Sequence, residues 1–248
     1  MDSSAPILEV RDLSAGYGDL LAARGVSYHV CPGEIVAMFG GNGAGKTTTL
    51  LATVGELPRQ AGQVLWKGKR ATSALHKLAR SGLSFVPEAP SVIAGLSARD
   101  NLRLGRGPVE AALSYFPELE PLLGRRAGLL SGGEQQILAM ARALACRPDV
   151  LLIDELSLGL APRVVEQLMT ALREIANQTG LGVVLVEQQA RRALAVADRW
   201  YLLRNGEITD GSTAGTSADE LEALYLGNFS ETPDQPAPSA GDAPVPTT

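Results

Sequence analysis

Apolar positions early in the chain fall into short runs before any helical stripe appears. Ile7–Val10, Val26–Val30 and Ile35–Phe39 are strand-like, with Pro32-Gly33 as the turn between the second and third. After Phe39 a glycine-rich turn leads into Thr47–Val54, which reads as a helix. Val64–Trp66 and Ser84–Val86 predict further strands. From about Ala98 to Ala127 the pattern is helical, interrupted by Gly105, Gly107, Pro108 and Pro117. Glu134–Cys146 predicts a longer helix, with Ile137, Leu138, Ala141 and Leu144 on one face.

The pattern then changes. Val150–Ile153 and Val183–Val186 are fully apolar and short, as expected of central parallel strands covered on both faces. Val164–Ala176 and Gln189–Ala197 predict helices, and Trp200–Leu203 with Glu207–Thr209 predicts a hairpin closed by Asn205-Gly206. Strand–helix alternation with right-handed crossovers implies an α/β sheet. The middle helical stretch, about 89–148, reads as a separate lobe within one domain spanning 1–228. Ser230–Thr248 has five prolines, three acids and no Lys or Arg. The 229–248 tail cannot bury enough apolar surface to order itself.

Composition narrows the function. The net charge of −5 leaves no general basic field for nucleic acid, and Lys67/Lys69/Arg70, Arg125/Arg126 and Arg191/Arg192 are short, scattered groups that read as solvated surface. No apolar run approaches the ~20 residues that span a bilayer, and Met1–Leu13 lacks the pattern of a signal peptide. A role at a membrane therefore needs other chains to supply the membrane part. Cys31 and Cys146 have no metal-type spacing and read as reduced, buried thiols of a cytosolic protein. His29 and His76 lie in strand-like and helix-like segments and read as structural.

Gly40-Gly41-Asn42-Gly43-Ala44-Gly45-Lys46-Thr47 fits G-x-x-x-x-G-K-[ST], and it stands between a strand and a helix. The glycines let successive N–H groups turn inward on a phosphate, and the helix start adds partial positive charge. Lys46 is expected to reach the β- and γ-phosphates, the Thr47 hydroxyl to ligate Mg²⁺, and Thr48 to meet the α-phosphate. Kinases and GTPases share this loop, so the loop alone leaves the class open. Val150–Ile153 ends in Asp154-Glu155, at the carboxyl end of a parallel strand where such sheets bind ligands. Asp154 is expected to hold Mg²⁺ and Glu155 to polarise the attacking water as general base. Leu130-Ser131-Gly132-Gly133-Glu134-Gln135-Gln136 contains a capping box, Ser131 with Glu134. The box leaves the double glycine unexplained unless a phosphate approaches the backbone closely.

GxxxxGKT, then LSGGEQQ, then LLIDE, over about Ile7 to Leu226, resembles the ABC ATPase family. The resemblance implies a P-loop NTPase with a RecA-like core, an antiparallel β subdomain and a helical lobe. It implies ATP and Mg²⁺, and two such domains paired head to tail, each ATP lying between one phosphate loop and the partner's Ser131, Gly132, Gly133, Glu134 and Gln135. Tyr17 matches the aromatic that stacks on adenine, and Ser157-Leu158-Gly159-Leu160-Ala161-Pro162 takes the place of the loop at the subunit contact. Glu88 stands where many members carry a glutamine, and joins Thr47 and Asp154 as a metal-site residue. Gln188 stands where many carry a histidine; its amide can donate to a phosphate but cannot carry a proton.

Within the family, VPE, SLGLAP, VEQ and Tyr225-Leu226-Gly227 resemble the ATPases of branched-chain amino acid importers and their hydrophobic-amino-acid or urea relatives. Two features depart from that group. Leu156 stands where proline usually follows the catalytic glutamate, which bears on the backbone at Glu155. Ala89-Pro90-Ser91 replaces Gly-Arg, which bears on the substrate subgroup. The implied partners are a second ATPase subunit, identical or not, permease subunits and, indirectly, a substrate-binding protein. The implied location is the cytoplasmic face of the cell membrane. Pro90, Val92, Ile93 and Leu96 are candidates either for a permease contact or for internal packing. Two readings compete: an ABC protein unconnected with transport, and a small-molecule P-loop kinase. The Glu88-to-Ser131 stretch is too short for the long coiled coil of DNA-repair members, and a kinase leaves LSGGEQQ without a purpose.

Overall fold

The computed structural model describes residues 5–71, 75–157, 159–188 and 190–213; the expectations for Tyr225-Leu226-Gly227 and for the tail lie outside them. Leu8–Tyr17 (β1) and Leu20–Val30 (β2) form a long hairpin, followed by Ile35–Phe39 (β3), Lys46–Val54 (α1), Arg59–Trp66 (β4), Lys69–Arg70 (β5), Leu75–Arg80 (α2) and Leu83–Val86 (β6). The helical stretch holds Ala98–Arg103 (α3), Val109–Tyr115 (α4), 3₁₀ turns at Pro117–Leu122 and Ala127–Leu129, and Gly132–Ala145 (α5). Val150–Asp154 (β7), Pro162–Thr179 (α6), Gly182–Glu187 (β8), Ala190–Leu194 (α7), Arg199–Arg204 (β9) and Glu207–Thr213 (β10) complete the described chain.

The strands form a four-stranded antiparallel sheet, β2-β1-β4-β5, and a six-stranded sheet, β10-β9-β3-β8-β7-β6. In the larger sheet β9, β3, β8, β7 and β6 run parallel and β10 turns back on β9. Every residue of β3, β7 and β8 is buried, because one apolar core lies on each face of the sheet. Ile35, Ala37, Leu151, Ile153 and Leu185 face the core shared with the lobe and α6, which includes Phe116, Leu119, Leu138 and Met140. Val36, Met38, Leu152, Val184 and Val186 face the core shared with α1 and the antiparallel sheet. α6 buries Val165, Leu168, Met169, Leu172, Ile175 and Ala176, the spacing of one helical stripe.

Three expectations need adjustment. The β1–β2 hairpin runs to Tyr17 and Leu20, and β4 begins at Arg59, well beyond their apolar signals. Register shifts after Val10, Leu13 and Ala15, and exposed positions between the buried Leu13, Ala15 and Ala23, break the alternation that a strand pattern would show. The helix expected over Gln189–Ala197 is shorter, Ala190–Leu194, ending as Val196 and Ala197 turn back to the Ala193 carbonyl. Cys31 and Cys146 are half-buried rather than buried, and no disulfide joins them. Cys146 Sγ donates to the Ala143 carbonyl at 3.1 Å. The Asn205-Gly206 turn has φ of 48° and 87°, the paired positive values of a type I′ hairpin.

Candidate functional site

The phosphate loop sits at the carboxyl end of β3 and opens α1. Gly45 has φ 97°, and a Cβ there would collide with the Ala22 carbonyl, so the loop closes tightly against β2 only as glycine. Asn42, Gly43, Ala44, Gly45, Lys46, Thr47 and Thr48 line a cleft of about 450 Å³ together with Ala22, Glu88, Glu155 and Gln188. Ala22 carries no chemistry in its sequence context and was invisible until β2 folded over the loop. Gly40 closes the cradle from behind, where a Cβ would lie 2.6 Å from the Leu203 carbonyl oxygen.

Lys46 is only 5 % exposed. Its Nζ donates to the carbonyls of Gly40 at 2.9 Å and Gly41 at 3.1 Å, and lies 3.4 Å from Glu155 Oε1. Glu155 follows β7 at φ 48°, a left-handed conformation that few side chains adopt without support. Its N–H donates to the Val186 carbonyl at 3.0 Å, and the Gln188 amide donates to both carboxylate oxygens at 2.9 and 2.8 Å. Leu156, the departure from proline, is buried in the lobe-side core. The Glu155 backbone is thus fixed by Val186 and by Leu156 packing rather than by a proline ring.

Asp154 is 2 % exposed, and its Oδ1 has no hydrogen-bond partner. Burial pushes its carboxyl above the ordinary range, the Thr47 hydroxyl and Lys46 pull it back, and Glu155 and Glu88 push it further up. An orphaned carboxylate oxygen beside a hydroxyl is the hard-oxygen donor set that Mg²⁺ prefers, so these residues fit the ion. Among the described residues no cluster of three or more His, Cys, Asp or Glu could hold a metal by itself. A Mg²⁺ here would need further oxygens from a nucleotide. Glu88, exposed at the end of β6, borders the same cleft.

Tyr17 is not among the lining residues. It ends β1 at the hairpin tip, 56 % exposed, with a large free face. The Ser131 segment also stands apart from the cleft, at the start of α5 in the helical lobe. Its capping box is complete: Glu134 N–H donates to Ser131 Oγ at 3.3 Å, and Ser131 N–H donates to Glu134 Oε2 at 2.7 Å. Donation from Ser131 N–H and Ser131 Oγ to its Oε2 holds the Glu134 carboxyl below its usual range. The two glycines differ. A Cβ on Gly133 would meet Val164 at 3.3 Å, whereas one on Gly132 would meet nothing. Packing explains Gly133; only an outside group would explain Gly132. The Gln135 amide is committed inward, donating to the Ala127 and Leu130 carbonyls at 3.1 Å each. Of the loop Ser157–Pro162, Leu158 lies outside the described residues.

The four apolar candidates near Glu88 divide. Val92 packs on the lobe-side core, Pro90 and Leu96 are half-buried, and Ile93 is 51 % exposed. The exposed Leu104 and Leu129 are other large apolar side chains of the lobe left open to solvent.

Comparison with known proteins gives a consistent result. The ABC transporter family model matches residues 23–157. The high-affinity branched-chain amino acid transport ATP-binding protein BraG of Pseudomonas aeruginosa is 36 % identical over 233 residues, covering 89 % of this chain and all of that protein. The lipopolysaccharide export system ATP-binding protein LptB of Acidithiobacillus ferridurans is 32 % identical over 235 residues, covering 90 % of this chain and 97 % of that one. Among solved structures, an ATP-binding subunit of an ABC transporter superposes with a TM-score of 0.78 at 29 % identity, covering 89 % of this chain and 99 % of that one.

Proposed function

Since the chain belongs to the ABC transporter ATP-binding family, whose members hydrolyse ATP, we propose that it is the ATPase subunit of an importer for branched-chain or other hydrophobic amino acids. The observation that carries the mechanism is the division of the site. Lys46, Glu155 and Gln188 converge on one cleft, while Ser131 and Gly132 are exposed outside its lining, and a side chain at 132 would meet nothing within the chain. A half-site of this kind is completed by a second copy or a close relative. In that arrangement Lys46 and the loop N–H groups bind the β- and γ-phosphates, Tyr17 covers the adenine, and the partner's α5 N-terminus caps the γ-phosphate.

Lys46 Nζ and Glu155 Oε1 lie 3.4 Å apart, as an ion pair. A triphosphate competes for Lys46 and releases the carboxylate to accept a proton from the attacking water. The Gln188 amide turns from Glu155 to the γ-phosphate, donating without taking a proton. Thr47 and Asp154, with Glu88 at the rim, would hold Mg²⁺, which would neutralise phosphate charge. ATP binding closes the pair and hydrolysis reopens it, and permease subunits follow these two states. No helix among the described residues is long and apolar enough to cross a membrane. As a member of the ABC transporter family the chain acts at the inner face of the cell membrane through permease partners, with Ile93 and its neighbours as their contact.

Likeness to BraG supports amino acid import; likeness to LptB favours export as the second reading. Radiolabelled leucine uptake by cells lacking this chain separates them: import predicts a loss that the intact gene restores. For the chemistry, E155Q is expected to lower turnover by roughly 10²–10⁴ with ATP binding intact. K46A is expected to lose ATP binding itself, read by nucleotide titration. E155Q at normal turnover would remove Glu155 from the role of base.

A further inference from the structure

β8 ends with an acid that the mechanism above does not use. Glu187 is 1 % exposed, although its strand otherwise reads Gly-Val-Val-Leu-Val and packs between two apolar cores. A buried carboxylate is unfavourable unless donors meet it. Here both oxygens are met by one residue: Ser157 N–H donates to Oε1 at 3.0 Å, and Ser157 Oγ donates to Oε2 at 2.6 Å.

The position of those donors gives the acid a purpose. Residues 186–188 hold residues 155–157 by successive contacts. The Val186 carbonyl accepts from the Glu155 N–H, the Glu187 carboxyl grips Ser157, and the Gln188 side chain grips the Glu155 carboxyl. Between the first and third grips the backbone passes through the left-handed conformation at Glu155. Nothing in the turn's own sequence enforces that conformation, since neither glycine nor proline is present at 155 or 156.

We infer that Glu187 is a positioning residue for hydrolysis: its bidentate grip on Ser157 sets the turn that aims the Glu155 carboxylate and registers Gln188 against it. This rests on the reading of Glu155 as general base. The grip also fixes the first residue of the loop that leads through Gly159 toward the proposed subunit contact, so one acid orients both the base and the start of that loop. A displacement of about 1 Å in a reacting group is enough to lower turnover by roughly 10²-fold, so a clamp at this distance from the base is expected to act on the chemical step rather than on binding.

The test uses the full chain with its transport partners, measuring kcat and KM for ATP, ATP affinity and Tm for E187A, E187Q, S157A and the E187A/S157A double variant. E187A is expected to lower kcat by at least about tenfold while ATP affinity stays within about twofold. The glutamine of E187Q can accept from Ser157 N–H and donate to its Oγ, so kcat is expected within about threefold of wild type. Because the two residues form one contact, the double variant should be no slower than E187A alone. If E187A does not fold, S157A decides: lower kcat at unchanged KM supports the clamp, and wild-type kcat overturns it. E187A with wild-type kcat, or with a change in KM alone, overturns it, as does multiplication of the E187A and S157A effects. E155Q measured alongside separates the failures. E155Q slow with E187A normal removes only the clamp, whereas E155Q at wild-type turnover removes the base assignment and the clamp with it.

Discussion

Asp154 is a carboxylate that the fold disfavours. Its Oδ1 is buried without a partner, and burial raises its pKa. A raised folded-state value means that stability is fully present below the ordinary carboxylate range and is lost as pH rises through the raised value. Above that range the buried Asp154 therefore costs the chain stability. D154N is expected to raise the Tm of the nucleotide-free protein at pH 7, with the gain shrinking toward zero as pH falls below about 4, the ordinary Asp range. The same variant should lose the extra thermal stabilisation that Mg²⁺ adds to ATP. Thermal melts with and without Mg²⁺-ATP across pH check both parts, and a D154N chain less stable than wild type at pH 7 contradicts the account. At this scale the sequence was informative where an acid or lysine stood in a motif: Lys46 and Glu155 meet at the cleft, and the buried Asp154 interacts with both. Ala22 was not legible, because an alanine in a strand carries no sign of a ligand-binding role until β2 folds against the phosphate loop. Glu187 was visible as an acid after an apolar run, the same signal as Asp154, but its partner Ser157 is separated from it by a whole crossover helix.

Among the elements, the connection from β6 to α5 ties the region beside the cleft to the start of the Ser131 helix. Asn101 of α3 is completely buried. Its side chain accepts from Ile93 N–H at 2.7 Å and donates to the carbonyls of Ile93 and Ser97 at 3.0 Å each. Segment 94–98 in turn pairs with 125–128: Ala98 N–H donates to the Arg125 carbonyl, Ala127 N–H to that of Leu96, and Gly128 N–H to that of Ala94. Gln135 then fastens 127–130 to α5, and Arg142 reaches back to the Ser91 carbonyl at 2.6 Å. These bonds form a continuous hydrogen-bonded chain from Ile93 to the start of the Ser131 helix. Truncating Asn101 strands buried backbone groups, so N101A is expected to lower unfolding free energy by about 1–3 kcal/mol, measured by urea denaturation. An effect within experimental error would show that the loop reorganises around its loss. The short central strands were legible as continuous apolar runs, and α5 from its helical periodicity. Asn101 was not, because a buried asparagine inside a polar helical stretch, Ala98–Arg103, looks like surface until its partners fold over it.

For the whole molecule, two apolar cores on opposite faces of one parallel sheet place the phosphate loop and the Ser131 helix in different layers. The fold class followed from alternating strands and helices and from runs buried on both faces, features that a sequence displays directly. The separation of the two motifs did not, because a single chain cannot show what completes its own site. That separation is the central claim: each nucleotide is held by Lys46 and its loop on one chain and by Ser131 and Gly132 on another. Asn42 and Gly132 are both exposed, and a side chain at 132 meets nothing within the chain. The most direct test places Asn42→Cys on one preparation and Gly132→Cys on a second, both carrying E155Q with Cys31 and Cys146 replaced by serine. The two are mixed and oxidised with and without ATP. The account predicts a disulfide between the two chains that forms rapidly only with ATP. Its absence with ATP present, while the cysteine-free parent without E155Q hydrolyses ATP, or its formation at the same rate without nucleotide, would contradict it.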